Sequence, residues 1–284
     1  MFCEGKEYAV VIPGKLFKDR PVSSPIAVGD DVELQQQDDN TVTIENVLPR
    51  KQYLVKPGLL SPEKRQVIAA NLDQLVIVSS TENPKFKAGL IDRFLVSAEK
   101  ENLKAIIVIN KIDLCPADEF KTYEDIWAGI GYRVFFTSAT EKVGLDQLSE
   151  ALTGKSSALA GHSGVGKSSL LNAIQPSLDL KTGGISKSTG RGVHTTTSVV
   201  FHHLGFGGWV ADTPGLKVFG IADIVRKDLY HCFPEFINHI DNCRFDNCQH
   251  MDEPGCAIKK AMENGIIAES RYRSYQKLWQ QLAR

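Results

Sequence analysis

The sequence predicts a multidomain chain. An N-terminal all-β barrel of OB-fold type spans residues 1–68, a central α/β domain with a phosphate loop spans 69–222, and a mainly helical zinc-binding domain spans 223–284. Three observations carry this division. The chain opens with short Val- and Ile-rich runs that have no helix between them. Its middle places glycine-rich and polar motifs at the ends of apolar runs. Its last quarter gathers three cysteines and a histidine within fourteen residues.

In the first part, Tyr8 to Ile12, Asp31 to Leu34 and Thr41 to Leu48 read as strands, separated by turns such as Val28-Gly29-Asp30. Short strands at this spacing suit a small closed sheet. Arg50, Lys51, Lys56, Lys64 and Arg65 follow, with Tyr53 among them. A nucleic-acid-binding barrel carries such a stretch, and so does a solvated linker.

In the central part, Leu103 to Ile109 is a near-continuous apolar run of the kind a buried parallel strand shows. Asn110-Lys111-Ile112-Asp113 stands at its end. The aspartate of an Asn-Lys-x-Asp tetrad can accept both the ring N–H and the exocyclic amine of guanine, a donor pair that adenine lacks. Tyr132 to Phe136 is a second strand. After it, Ser138-Ala139 can offer a backbone N–H to the guanine oxygen. A third, Ser157 to Ala160, leads into Gly161-His162-Ser163-Gly164-Val165-Gly166-Lys167-Ser168, the G-x-x-x-x-G-K-S/T pattern, with Ser169 next and a helix through Ile174. Backbone N–H groups of such a loop cradle phosphates. Lys167 reaches the β/γ-phosphates, and the Ser168 hydroxyl holds Mg²⁺. Strand, loop and helix N-terminus together favour an anion.

Gly208 to Ala211 is a fourth strand, ending in Asp212-Thr213-Pro214-Gly215. This Asp-x-x-Gly links Mg²⁺, through Asp212, to the γ-phosphate, through the Gly215 N–H. Between it and the phosphate loop lies a glycine-rich, polar segment, 181–192, followed by Val193-His194-Thr195-Thr196-Thr197. Thr195 and Thr196 are alternative ligands for Mg²⁺. Lys181, Lys187 and Arg191 are either phosphate contacts or solvated loop charges. Leu216 follows the Asp-x-x-Gly, where glutamine-dependent GTPases place the residue that orients water. His194 is the internal candidate for that role. The base-reading tetrad precedes the phosphate loop, the reverse of the usual order, so this part reads as a circularly permuted GTP-binding domain.

Cys243, Cys248, His250 and Cys256 have the spacing C-x4-C-x-H-x5-C. A Cys₃His set suits one structural, tetrahedral Zn²⁺. Asp246-Asn247 and Glu253-Pro254-Gly255 are turn formers that would fold the ligands together. Ala257 to Met262 and Glu269 to Leu282 read as helices. The tail carries Lys259, Lys260, Arg271, Arg273, Lys277 and Arg284 against Glu263 and Glu269. Tyr272, Tyr275 and Trp279 at helical spacing serve either packing or base stacking, and the basic helix is a candidate phosphate-backbone contact.

Net charge is −1 and 42% of residues are hydrophobic, so bulk charge does not mark a nucleic-acid binder. No run approaches ~18 apolar residues, and the N-terminus MFCEGKEY lacks a signal-peptide core. A cytoplasmic protein, a monomer without membrane contact, is expected.

The combined pattern resembles the circularly permuted bacterial GTPases of small ribosomal subunit biogenesis, the RsgA (YjeQ/YloQ) family. The likeness runs from the N-terminal strands through Asn110–Asp113, Ser138-Ala139, the phosphate loop, His194–Thr197 and Asp212–Gly215 to the zinc set, with Glu253–Cys256 and Glu269–Tyr272 in the tail. It implies hydrolysis of GTP to GDP in late maturation of the small subunit. It further implies binding to that subunit and its rRNA, stimulation by it, nucleotide-timed release, and water positioned by His194.

Overall fold

The computed structural model describes residues 2–3, 6–17, 26–56, 66–181, 200–212 and 224–282. The chain divides into two compact units, 1–72 and 73–284.

In the first unit the described residues form strands β1 (Phe2–Cys3), β2 (Lys6–Glu7), β3 (Ala9–Val11), β4 (Val32–Gln36), β5 (Thr41–Val47), β6 (Tyr53–Lys56) and β7 (Gln66–Ala70). β5 is central, parallel to β3 and antiparallel to β4, and β6 pairs antiparallel with β7. Along β5 alternate residues Val42 and Ile44 are buried, and Val47 at its end is buried as well. A strand with one covered face alternates in this way. Asp30 accepts a two-point ion pair from Arg50 at 2.6 and 2.8 Å, fixing the turn ahead of β4 to the chain after β5.

The second unit is built on a six-stranded sheet. Its strands are β8 (Gln74–Ser80), β9 (Lys104–Asn110), β10 (Arg133–Thr137), β11 (Ser156–Ala160), β12 (Val200–His203) and β13 (Trp209–Asp212), in the order β10-β9-β8-β11-β13-β12. All pairings are parallel except that of edge strand β12 with β13. β8 and β9 bury nearly every side chain, because helices cover both faces of a parallel sheet. The helices are α1 (Ala88–Lys100), α2 (Lys121–Gly129), α3 (Leu145–Leu152) and α4 (Lys167–Ile174). One core, with Val76, Val108, Leu148, Leu159, Leu170 and Val210, lies under α3 and α4.

The C-terminal segment adds α5 (Pro234–Ile237), α6 (Ala257–Glu263) and α7 (Glu269–Gln281). They enclose a second core around Phe233, Phe236, Ile258, Tyr275 and Leu278, which also takes in Val96 of α1. Short helices are marginal alone; these are held by a shared apolar interior and, below, by a cluster of metal-ligating side chains. No helix among the described residues is long and apolar enough to cross a membrane.

Candidate functional site

Parallel strands deliver their following loops to one edge of the sheet. Here that edge receives Asn110 at the end of β9, Ser138 after β10, the loop 161–166 between β11 and α4, and Asp212 at the end of β13. Four motifs far apart in the chain thus share one crevice edge.

The phosphate loop has the backbone its glycines imply. Gly161, Gly164 and Gly166 have φ of +142°, +84° and +96°. A side chain at Gly161 would run into the Val78 carbonyl, and one at Gly166 into the Asn110 amide. Val165 turns inward to the core, while His162, Ser163 and Gly164 face outward. The Lys167 ammonium donates to the carbonyls of Gly161 at 2.8 Å and His162 at 3.1 Å, so it lies along the loop where phosphate oxygens would be cradled. Ser168 and Ser169 stand in the first turn of α4, half-buried.

The tetrad is bound to that loop. The buried Asn110 amide donates to the Val165 carbonyl at 2.9 Å, and the Thr137 hydroxyl donates to Asn110 Oδ1 at 3.2 Å. Lys111, at φ +67°, sends its ammonium to the Gly164 carbonyl at 2.7 Å and to the Asn83 carbonyl. The Ile112 N–H donates to Thr137 at 3.2 Å. Asp113 is exposed, and its carboxylate accepts the Ser138 hydroxyl at 2.6 Å. That hydroxyl also accepts the Glu141 N–H at 3.0 Å. Ala139 follows, half-buried. The carboxylate is therefore aimed by a buried serine while its face stays open. His194, Thr195, Thr196 and Gly215 lie outside the described residues.

The second site is in the C-terminal segment. The ligand atoms of Cys243, Cys248, His250 and Cys256 all lie within 4.8 Å of one another. His250 Nδ1 is 3.6 Å from Cys243 Sγ and 3.5 Å from Cys256 Sγ. Metal–sulfur bonds of ~2.3 Å and metal–nitrogen bonds of ~2.0 Å at a tetrahedral angle separate S from N by about 3.5 Å, so the donor set fits one zinc. Burial pushes the Cys248 thiol up to about 12 and raises that of Cys256. A bound cation would have to displace those protons. Burial also holds the His250 pKa below its ordinary value, which favours the neutral ring a metal needs.

The backbone around His250 is tightly bound. His250 has φ +58°. The Glu253 carboxylate accepts the N–H groups of Gln249 and Met251, each at 2.9 Å. The Tyr272 and Tyr275 hydroxyls donate to the carbonyls of His250 at 2.8 Å and Gln249 at 2.6 Å. Gly255, at φ +75°, brings its carbonyl to the Arg244 N–H at 3.1 Å; a Cβ there would sit 2.9 Å from Arg244 Cβ. Both tyrosines are buried, so of the two roles open to them in the sequence, packing is the one observed.

Arg271 is a correction. Counted by sequence among the basic residues of an RNA-facing helix, it is 1% exposed. Its guanidinium donates to Asp92 Oδ1 at 2.7 Å and to Glu235 at 2.6 and 3.2 Å. Burial works against its charge, but Asp92 and Glu235 outweigh that and hold its pKa above the ordinary value. Asp92 also accepts Trp127 Nε1 at 3.0 Å and the Ser274 hydroxyl at 2.5 Å. No exposed phosphate can compete for this arginine. Arg273 and Lys277 remain on the outer face. Sequence reasoning missed this network because neither Asp92 nor Glu235 belongs to a motif.

An open parallel sheet with a phosphate loop and a bonded Asn-Lys-Ile-Asp tetrad, the tetrad first in the chain, defines a circularly permuted P-loop GTPase. The profile of the RsgA GTPase family matches residues 47–222. Proteins named small ribosomal subunit biogenesis GTPase RsgA from Flavobacterium johnsoniae and Thermotoga maritima are each 44% identical. They cover 90% of this chain, which spans 81% and 84% of their lengths. The crystal structure of YjeQ from Thermotoga maritima superposes with a TM-score of 0.80 at 40% identity, over 98% of this chain and 90% of that one. That of YloQ, a circularly permuted GTPase, gives 0.69 at 32%, over 89% and 79%. The chain belongs to the RsgA GTPase family and is a GTP-hydrolysing enzyme.

Proposed function

We propose that this GTPase acts in late maturation of the small ribosomal subunit, binding the subunit and its rRNA, being stimulated by it, and leaving when GTP becomes GDP. The observation that carries the nucleotide half is the Asn110–Val165 bond of 2.9 Å, which locks a base-reading tetrad onto a phosphate loop. The ribosomal half is supported by relatives named for small ribosomal subunit biogenesis at 44% identity over most of the chain.

In this reading Asp113 accepts the guanine donors, Asn110 and Lys111 set the tetrad against the loop, and Ile112, Ser138 and Ala139 shape the base pocket. The N–H groups of residues 161–166 and the Lys167 ammonium hold the phosphates. Ser168 with Thr195 or Thr196 binds Mg²⁺, and Asp212 reaches it through water. Gly215 meets the γ-phosphate, and His194 places the attacking water, since Leu216 cannot. Zinc, on Cys243, Cys248, His250 and Cys256, is structural, with no open ligand position for chemistry. The N-terminal strands belong to an OB-type barrel that, with the outer face of the C-terminal helices, meets rRNA. The enzyme works as a cytoplasmic monomer.

The test is steady-state GTP turnover with and without purified small ribosomal subunits. Stimulation by the small subunit and not by the large one supports the proposal. Equal turnover with and without subunits would leave a GTP switch that serves some other partner.

A further inference from the structure

The turn after β8 carries none of the nucleotide-binding motifs, yet it grips the tetrad from behind. Thr81, 1% exposed, donates its hydroxyl to the Lys111 carbonyl at 2.6 Å, and its N–H to the Asn110 carbonyl at 3.0 Å. Two residues on, the Asn83 carbonyl accepts the Lys111 ammonium. The turn is closed on itself: the Ser80 hydroxyl donates to the Pro84 carbonyl at 2.7 Å, and the Phe86 N–H to the Thr81 carbonyl at 3.1 Å. Pro84 also lies against the phosphate loop, since a Cβ built on Gly164 would fall 3.6 Å from its ring.

Lys111 is the residue that needs such support. A lysine at φ +67° is in a region that only a few per cent of non-glycine residues occupy, and it persists where the surroundings over-determine it. That backbone setting lets its side chain cross to the Gly164 carbonyl at 2.7 Å, while the next two residues carry Asp113 to the open face. We propose that Thr81 is a positioning residue for guanine-nucleotide binding: its hydroxyl holds the left-handed Lys111 that joins the tetrad to the phosphate loop. In this role it acts through Lys111 and not on the nucleotide itself. The proposal rests on the base-reading assignment of Asn110 to Asp113.

Thr81→Val keeps the shape and removes one of the two donors to the part-buried Lys111 carbonyl, leaving the Leu114 N–H at 2.9 Å as the other. Affinity for mant-labelled GDP is expected to fall about tenfold, through faster release, with GTP affinity falling equally, because Lys111 lies on the base side. Single-turnover hydrolysis at saturating GTP should stay at the wild-type rate, and Thr81→Ser should restore affinity. A generally loosened fold would lower turnover and would not be rescued by serine. Wild-type affinity in Thr81→Val, or lost turnover with affinity intact, overturns the proposal. Should Thr81→Val fail to fold, Ser80→Ala decides. It opens the same turn and should weaken mant-GDP binding by about threefold, and wild-type binding there overturns the proposal equally. Wild-type protein is titrated in parallel with mant-ADP. Failure to prefer GDP over ADP would sink the base-reading assignment itself, whereas intact preference with an unaffected Thr81→Val sinks the positioning role alone.

Discussion

At Gly166 the phosphate loop and the tetrad approach so closely that a methyl group would displace the Asn110 amide, and φ of +96° adds strain for any other residue. Gly166→Ala should therefore weaken mant-GDP binding by about tenfold or more, at 1–3 kcal/mol of strain. The sheet should remain folded by circular dichroism. Arg271 gives the opposite case, in which stability and not binding is at stake. Arg271→Ala leaves Asp92 and Glu235 buried without a counter-charge and should cost about 3–5 kcal/mol in urea melts. Lysine should rescue little of it, because a single ammonium cannot span two carboxylates as the fork does. For His194, outside the described residues, the expectation rests on Leu216: His194→Ala should slow single-turnover hydrolysis on saturating small subunits by about 10²-fold while leaving nucleotide affinity alone. Equal rates would assign the water-positioning group to the subunit. Gly161, Lys167, Asp113 and the Cys243, Cys248, His250, Cys256 set could be singled out in the sequence because a ligand's shape would dictate such spacing. Thr81 and Arg271 could not. The value of each comes from partners 30 and 179 positions away, which no local pattern encodes.

Among elements, the strands β9, β10, β11 and β13 could be placed from sequence because each carries an apolar stretch that ends in a motif. Of these, only β9 shows the near-continuous run of a strand buried on both faces, while edge strand β10 is buried at alternate positions. β8 and helices α1 to α3 carry no motif and emerge only from the structure, although β8 is at least as buried as β9. The cysteine-histidine segment was legible as a metal site but not as a packed one. Its backbone is clamped by Glu253 and by the two tyrosines of α7. One zinc per chain is expected by elemental analysis, and Cys248→Ala should abolish it. Tyr275→Phe, which strips the donor from the Gln249 carbonyl, should cost roughly 1 kcal/mol and speed zinc loss to a chelator. Zinc-free protein with α6 and α7 intact would contradict the assignment. Chelation should unfold the residues around α5 to α7, because metal-binding energy there is folding energy. Nucleotide binding should survive, since the six-stranded sheet keeps its own core under α3 and α4.

For the whole molecule, the reversed motif order is what the sequence shows most directly, and its consequence is geometric. Strand order β10-β9-β8-β11-β13 brings the tetrad and the phosphate loop to one edge although Gly161 lies 51 positions after Asn110. Contact around a parallel sheet is indifferent to where the chain is opened. The N-terminal unit was read less fully: β3, β4 and β5 fall on the Val- and Ile-rich runs, whereas β1, β2, β6 and β7 emerge only from the structure. The described pairings form three small sheets, and closure into a barrel depends on register that composition does not specify. The central claim is that this permuted edge reads guanine through Asp113, and affinity for GTP and XTP in wild type and Asp113→Asn tests it most directly. An amide offers a donor where xanthine presents a carbonyl, so the variant should lose GTP and gain XTP, with the phosphate loop unchanged. Unaltered preference for GTP in Asp113→Asn would contradict the account.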